Sequence, residues 1–217
     1  MQMVIIGASG FIGSALTTTA LQRGHQVLAL VRDAGKLQAL AQQYPQQLEV
    51  RSVDVLDNAA LTAQLQQQTL VISAFSGHSA EDVAGYYQRG FASILQAVKQ
   101  AGVARLLVVG GAASLQLPDG SKLLDSPDFP AAYRGTAEGA YAALQQLRQE
   151  TALAWSYLSP AAEIFPGAAT GQFRLGGDQL LTDAQGQSRI SAGDYALALL
   201  AEAEQPAHTG RRFCVAY

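Results

Sequence analysis

The sequence predicts an α/β fold, a doubly wound parallel sheet that carries a small C-terminal substructure. Up to about Pro160, short apolar runs alternate with segments that are long enough to be helices. Such runs are typical of strands buried on both faces, as in parallel sheets covered by helices on either side. The right-handed crossover rule for parallel strands then favours a doubly wound arrangement. After Pro160 the pattern changes to short segments punctuated by glycines.

The elements before Pro160 follow from this alternation. The predicted strands are short apolar runs between turn residues: Met3–Ile6, Val27–Val31, Leu48–Val53, Leu70–Ala74, Leu106–Val109 and Ala154–Leu158. The predicted helices lie between them: Phe11–Arg23, Ala34–Gln43, Ala59–Gln67, Ala80–Gln100 and Ala132–Gln149. Gly24 and Gly102 follow two of these helices, where glycine commonly ends a helix.

The segments after Pro160 predict a small substructure over one edge of the sheet. Phe173–Leu175 and Leu180–Thr182 are short apolar runs between glycines, which suggests one or two hairpins. Ser191 and Asp194 have the spacing of a capping box, in which each side chain bonds a backbone N–H of the first helical turn. The elements predicted to follow are a helix, Tyr195–Glu204, and a last strand, Arg212–Ala216.

The composition bounds the function. Of the 217 residues, 49% are hydrophobic and 14% are charged, whereas a typical charged share is about 25%. The apolar content argues against a disordered chain, and a net charge of −3 argues against a simple electrostatic nucleic-acid binder. The length suits one domain over residues 1–217, with residues 160–217 contributing a small substructure on the substrate side.

The strongest chemical signal is the segment Gly7–Gly13, which has the spacing G-x-x-G-x-x-G. A predicted strand precedes it and a predicted helix begins in it, which is the setting of the dinucleotide-binding turn in a Rossmann-like fold. Gly7 permits the tight turn, Gly10 lets the backbone approach a pyrophosphate, and Gly13 lets the helix pack close to the sheet. The N–H groups at the helix start and the Ser9 hydroxyl can donate to phosphate. The residues assigned to the cofactor here are Gly7, Ser9, Gly10, Phe11, Ile12 and Gly13.

The end of the second strand bears on the choice of nucleotide. A carboxylate about 20 residues after the glycine motif would bind a ribose 2′-OH, whereas an arginine there would accommodate a 2′-phosphate. Both types occur, as Arg32 and Asp33. Arg32 directly follows the strand, and Asp33 can instead cap the helix predicted from Ala34. We therefore predict NADP, with NAD as the alternative; a solvated cation at the strand end is the other interpretation of Arg32.

Two further strand ends are predicted to lie on the ligand side of the sheet. Asp54 and Val55 close the third strand, where Asp54 can accept from the adenine amino group or simply form a turn. Ala74 and Phe75 close the fourth, where small residues let a cofactor pass close to the backbone. Phe75 can pack on the cofactor, but a core aromatic explains it equally well. His78, just beyond, is either a proton donor or a solvated loop histidine.

Several segments match the pattern of a known family: Val4–Gly13, Val31–Asp33, Val53–Val55, Val109–Leu115, Ser159–Ala161, Thr170–Gly171 and Ile190–Ala196. Together they resemble the atypical short-chain dehydrogenase/reductase group, specifically its NmrA-like and NAD(P)H-flavin reductase members, which are similar to biliverdin reductase B. The resemblance covers essentially the whole chain. It implies that Gly110 and Gly111 let the nicotinamide ribose approach the fifth strand. It also implies that Pro160 lies beside the nicotinamide ring and that the Ser114 hydroxyl bonds a substrate carbonyl.

The chain departs from that family in its proton-transfer residues. Short-chain dehydrogenases pair a tyrosine with a lysine four residues later, whose charge lowers the pKa of the phenol. Here Tyr133 is followed at that spacing by Ala137 and Tyr141 by Gln145, and no lysine follows Lys122. The absence argues against alcohol–ketone chemistry. It does not argue against hydride transfer to an acceptor that delocalises the arriving charge, for which the protein mainly supplies positioning.

The predicted function is hydride transfer from NADPH to a planar aromatic or conjugated acceptor, such as a flavin or a quinone. Ser114 and Tyr133 are the predicted catalytic residues, with Phe75 and Phe165 near the acceptor. Two alternatives stay open: an NADP-binding redox sensor without turnover, as the NmrA resemblance allows, and an epimerase or ketone reductase that uses an unusual acid. The segment Ala112–Ala131 is expected to form the variable wall of the site.

The remaining expectations concern the protein's setting. No apolar stretch reaches the roughly 18 residues of a membrane helix, so no membrane partner is expected. The net charge of −3 argues against a nucleic-acid partner. Cys214 is the only cysteine, and no His, Cys or Asp group has metal-ligand spacing. A reducing cytoplasm is therefore the predicted location. The predicted assembly is a monomer or a homodimer.

Overall fold

The computed structural model describes residues 1–78 and 81–217. Its strands, in chain order, are β1 (Gln2–Ile6), β2 (Gln26–Val31), β3 (Leu48–Ser52), β4 (Leu70–Ser73), β5 (Arg105–Val109), β6 (Ala154–Ser159), β7 (Glu163–Phe165), β8 (Arg174–Gly176), β9 (Arg189–Ser191) and β10 (Arg211–Ala216). One sheet has the order β3-β2-β1-β4-β5-β6-β10-β8, and β7 pairs with β9 separately. Every pairing in the large sheet is parallel except that of β8 with β10. The predicted doubly wound parallel sheet is confirmed.

Helices cover both faces of this sheet. They are α1 (Phe11–Gln22), α2 (Gln38–Gln43), α3 (Asn58–Leu65), α4 (Val83–Gln100), α5 (Ala131–Arg148) and α6 (Ala192–Glu204). Met3 and Ile5 of β1 pack with residues of α1 and α6, whereas Val4 and Ile6 pack with residues of α3, α4 and α5. Because both faces are buried, the central strands are apolar at successive positions. Within the described ranges, no helix combines the length and the apolar character needed to cross a membrane.

Two helices begin later than predicted. The helix predicted over residues 34–43 is divided into a 3₁₀ turn, Ala34–Leu37, and the short helix α2. The helix predicted to start at Ala80 begins as α4 at Val83, because Asp82 caps it there. Ala80 itself lies outside the described residues.

The prediction of one or two hairpins in the C-terminal segments is wrong. β8 forms close to one of the predicted runs, but it pairs with the distant strand β10. Leu180–Thr182 is not a strand, and the Leu180 N–H donates instead to the carbonyl of Gln116 at 2.9 Å, so this segment crosses to the loop after β5. The sequence does not predict β7 and β9, because strands of three residues carry too little periodicity to be recognised.

Helix α6 anchors the C-terminal segments to the sheet. Ser191 caps it as predicted, since its Oγ accepts from the Asp194 N–H at 3.0 Å. The Asp194 carboxylate turns away and accepts from the N–H groups of Thr170 and Gly171, both at 2.8 Å. It also accepts from the Tyr217 hydroxyl at 2.8 Å. Burial alone would raise the pKa of Asp194, but these hydrogen bonds hold that pKa below its ordinary value. The buried carboxylate thereby fixes the loop after β7.

Candidate functional site

The carboxyl ends of β1 to β4 enclose a hollow of about 170 Å³, which we call the small hollow. Parallel strands place these ends at one edge of the sheet, where doubly wound folds bind ligands. The small hollow brings together most of the residues predicted for the dinucleotide, namely Gly7, Ser9, Gly10, Arg32, Val55, Ala74 and Phe75.

Packing within the protein explains two of the three motif glycines. Gly7 has φ of 78°, and a Cβ on it would lie 2.6 Å from the Ala74 carbonyl oxygen. A Cβ on Gly13 would lie 2.0 Å from the Gly7 carbonyl oxygen. Among the described residues other than its chain neighbours, a Cβ on Gly10 would meet one atom within 4 Å, that same oxygen, at 3.3 Å. Protein packing therefore requires Gly7 and Gly13, whereas at Gly10, which lines the small hollow, a Cβ would need only a small shift of one backbone oxygen.

The first turn of α1 supplies donors for that pyrophosphate. Gly10 is the N-cap residue and has no side chain with which to cap the helix. The first N–H groups of a helix lack partners within the helix and form a ready anion site. The side chains after Gly10 are not in the small hollow: Phe11 is 49% exposed beside Ala168 and Ala192, and Ile12 lines the larger cleft described below. Any contact of Phe11 with pyrophosphate is thus made by its backbone.

Cationic side chains lie at the outer end of the small hollow. Arg32 and Lys36 are both exposed and both line it. Asp33 lines it too, but its Oδ1 accepts from the Gly35 N–H at 3.0 Å and caps the 3₁₀ turn, the alternative that the sequence left open. No role is predicted for Lys36 from the sequence, although its spacing of four residues from Arg32 within a turn is a usable signal.

The other strand ends contribute mainly apolar surface. Asp54 is exposed, and its Oδ1 accepts from the Leu56 N–H at 2.9 Å, so the carboxylate forms a turn and only its neighbours Val53 and Val55 line the hollow. Phe75 is buried, with its ring centroid 5.6 Å from those of Tyr86 and Tyr87. It is a core aromatic that also borders the hollow.

A larger cleft of about 480 Å³, which we call the large cleft, opens over the ends of β5 and β6. The strand ends Gly110–Gly111 and Pro160 line it, together with Ile12 from the start of α1. Ala112 to Pro130 contribute several further lining residues, as expected for the segment Ala112–Ala131. The residues predicted for the nicotinamide end of a dinucleotide therefore meet here.

Buried hydroxyls fix the glycine pair at the end of β5. The Tyr157 hydroxyl accepts from the Gly111 N–H at 3.0 Å and donates to the Ala140 carbonyl at 3.0 Å. Ser159 Oγ donates to the Gly111 carbonyl at 2.9 Å. A Cβ on Gly110 would lie 2.1 Å from the Tyr157 ring, so only glycine fits there. Burial raises the pKa of Tyr157 to about 12, which keeps the hydroxyl protonated. The sequence did not assign Tyr157 a role, but a tyrosine inside a buried strand needs such partners.

The two predicted catalytic residues are not brought together. Ser114 is buried outside the large cleft, and its Oγ accepts from Arg212 Nη1 at 3.2 Å. Arg212 is itself paired with Asp178 in the C-terminal segment. Tyr133 lies at the margin of the large cleft and is 61% exposed. Phe165, expected near the acceptor, instead packs against Arg189, 4.9 Å from its ring centre.

The described residues do not form a metal site. Among residues 1–78 and 81–217, no three His, Cys, Asp or Glu side chains form a group that could bind one ion.

Gly10→Ala should weaken NADPH binding and leave folding intact. Its methyl would occupy the space left for the pyrophosphate, and overpacking of about 1–3 kcal/mol corresponds to roughly 5- to 100-fold weaker binding. Titration of cofactor fluorescence gives the affinity, and thermal melting gives the stability. Gly13→Ala is the matched control, because its Cβ would collide with the Gly7 carbonyl and lower the melting temperature. Wild-type affinity in Gly10→Ala would contradict the placement of the pyrophosphate.

Comparison with known proteins agrees with this geometry. The chain matches the NAD(P)H-binding protein family over residues 7–206. YwnB of Bacillus subtilis strain 168 is 37% identical over 219 residues, covering 99% of this chain and 98% of YwnB. A solved structure from Bacteroides thetaiotaomicron, described as a "putative epimerase", has 37% identity and a TM-score of 0.91, covering 100% of this chain and 96% of that one. One from Streptococcus pneumoniae TIGR4, described as a "putative NADH-flavin reductase", has 32% identity and a TM-score of 0.85, covering 100% and 99%. The chain belongs to the NAD(P)H-binding family and has its Rossmann-like fold.

Proposed function

We propose that the protein is an NADPH-dependent oxidoreductase that reduces a planar conjugated acceptor, such as a flavin or a quinone. The observation that carries the proposal is the large cleft beside Gly110 and Gly111, which is mostly apolar and has room for a flat ring system. When bound, NADPH supplies a hydride from its nicotinamide ring. The likeness to the Streptococcus pneumoniae protein described as a "putative NADH-flavin reductase" supports the same reaction class.

The residues present fit the cofactor along the whole carboxyl edge of the sheet. Gly10, which lines the small hollow, and the start of α1 suit a pyrophosphate. Gly110 and Pro160 suit the nicotinamide end. We propose NADP over NAD because Arg32 and Lys36 both line the outer end of the small hollow, where the two cations would bind a 2′-phosphate.

The protein's main share of the chemistry is positioning. In the described part of the chain, α5 presents Tyr133 and Ala137 to the large cleft at the spacing where ketone reductases place tyrosine and lysine. The large cleft therefore lacks the tyrosine–lysine pair that alcohol–ketone reduction uses. Conjugated acceptors spread the arriving charge over their rings, so holding donor and acceptor face to face supplies most of the catalysis. We also propose that the protein works in the cytoplasm as a monomer or homodimer.

Arg32→Ala should weaken NADPH binding by about 10- to 100-fold, since a hydrogen bond to a charged group contributes about 1.5–3 kcal/mol. NADH binding should change little, because NADH has no 2′-phosphate. Lys36→Ala should act in the same direction. Lys99→Ala is the control, because Lys99 pairs with Glu150 near the end of α4. Equal losses for the two cofactors in Arg32→Ala, or tighter NADH binding by the wild type, would refute the NADP assignment.

The activity itself is tested with purified protein, NADPH and either FMN or menadione, followed by the loss of NADPH absorbance under anaerobic conditions. We expect oxidation of NADPH that depends on both the acceptor and the protein. Tight NADPH binding without acceptor-dependent oxidation would contradict an enzymatic role and favour the alternative of a redox sensor.

A further inference from the structure

A proton source is missing from the proposed reaction. An acceptor that receives a hydride also needs a proton on a heteroatom to become the neutral two-electron product. The titratable side chains that line the large cleft come from different elements: His78 after β4, Asp128 before α5, Tyr133 on α5 and Glu163 on β7. Each has to be weighed as the donor.

His78 bonds α5, and the residue before it packs on α4. Its backbone follows Gly77, which packs so closely on the start of α4 that a Cβ there would lie 2.7 Å from the Val83 carbonyl oxygen. Its Nδ1 lies 3.0 Å from the Thr136 Oγ1 on α5. Thr136 also lines the large cleft, one helical turn beyond Tyr133. Among the described residues, the His78 ring has this one hydrogen bond, at Nδ1. Its Nε2 can therefore contact a ligand.

The other titratable groups of the cleft are two carboxyl groups and a phenol. Glu163 is held by Arg189, at 2.8 Å from Nε and 3.2 Å from Nη2. Tyr133 has Ala137, and no lysine, four residues later on α5. Imidazole is the side chain that exchanges protons near neutral pH.

We propose that His78 is the proton donor of the reaction and that Thr136 positions its ring. This inference rests on the proposed function. In the balanced step, the acceptor gains a hydride from NADPH and a proton from protonated His78, which leaves the reduced acceptor, NADP⁺ and neutral imidazole. His78 is exposed on its outer side, so solvent can return the proton before the next turnover. Among neighbouring charges, Asp82 caps α4 and pairs with Arg89.

The test compares His78→Ala and His78→Gln with wild type, using NADPH and menadione or FMN. General acid catalysis typically contributes about 10²- to 10⁴-fold, so kcat should fall by about 100-fold or more in both variants. Added imidazole should restore part of the rate in His78→Ala, where the side chain leaves a space, and little in His78→Gln. NADPH affinity should change far less than kcat, because His78 lies outside the small hollow, where the pyrophosphate and the 2′-phosphate are proposed to bind.

Thr136→Val should lower kcat less than loss of the imidazole does, with little change in KM. It should gain nothing from added imidazole, since its own imidazole is still present. The melting temperature of every variant shows whether the fold is intact.

The outcomes separate the two claims. An active wild-type protein together with a His78→Ala variant of unchanged kcat overturns the role of His78 alone. A wild-type protein that binds NADPH but reduces neither acceptor overturns the proposed function, and the role of His78 with it. Loss of activity in His78→Ala that added imidazole does not restore at all, at an unchanged melting temperature, also contradicts proton donation by the imidazole.

Discussion

The contact between Gly13 and the carbonyl of Gly7 is the constraint on which the site depends. A Cβ on Gly13 would lie 2.0 Å from the Gly7 carbonyl oxygen, so glycine is needed for α1 to start this close to the end of β1. The helix start is thereby held beside the ends of β2 and β4, and Gly10, its N-cap residue, lines the small hollow. From that one close approach follow the place for a pyrophosphate, the position of Ile12 in the large cleft and the packing of α1 against α6.

A second set of contacts fixes the end of β5, where the nicotinamide ring is proposed to bind. The Tyr157 ring lies where the Cβ of any residue other than glycine at position 110 would be, and the hydroxyls of Tyr157 and Ser159 hold both backbone groups of Gly111. The end of β5 is therefore rigid, while the residues around the large cleft come from loops and helix faces.

Much of the fold could be predicted from the sequence, because its information is local. Strands β1 to β6 are short apolar runs buried on both faces, and the glycine motif lies between one of them and a helix. The pairing of β8 with β10 could not be predicted, because the partners lie about forty residues apart and each is short. The hydroxyl of Ser114 is bound by Arg212, 98 residues later in the chain, and no local pattern indicates such a contact. The cleft residue Thr136 was missed for the same reason, since its partner His78 comes from another loop.

We propose that one bound cofactor spans both hollows, with its 2′-phosphate at Arg32 and its nicotinamide ring in the large cleft. A crystal structure of the complex with NADP⁺ would show its course. We expect the 2′-phosphate within hydrogen-bond distance of Arg32, the pyrophosphate at the start of α1, and the nicotinamide ring beside Gly110 and Pro160. A cofactor bound in the reverse direction, or a nicotinamide ring outside the large cleft, would contradict it.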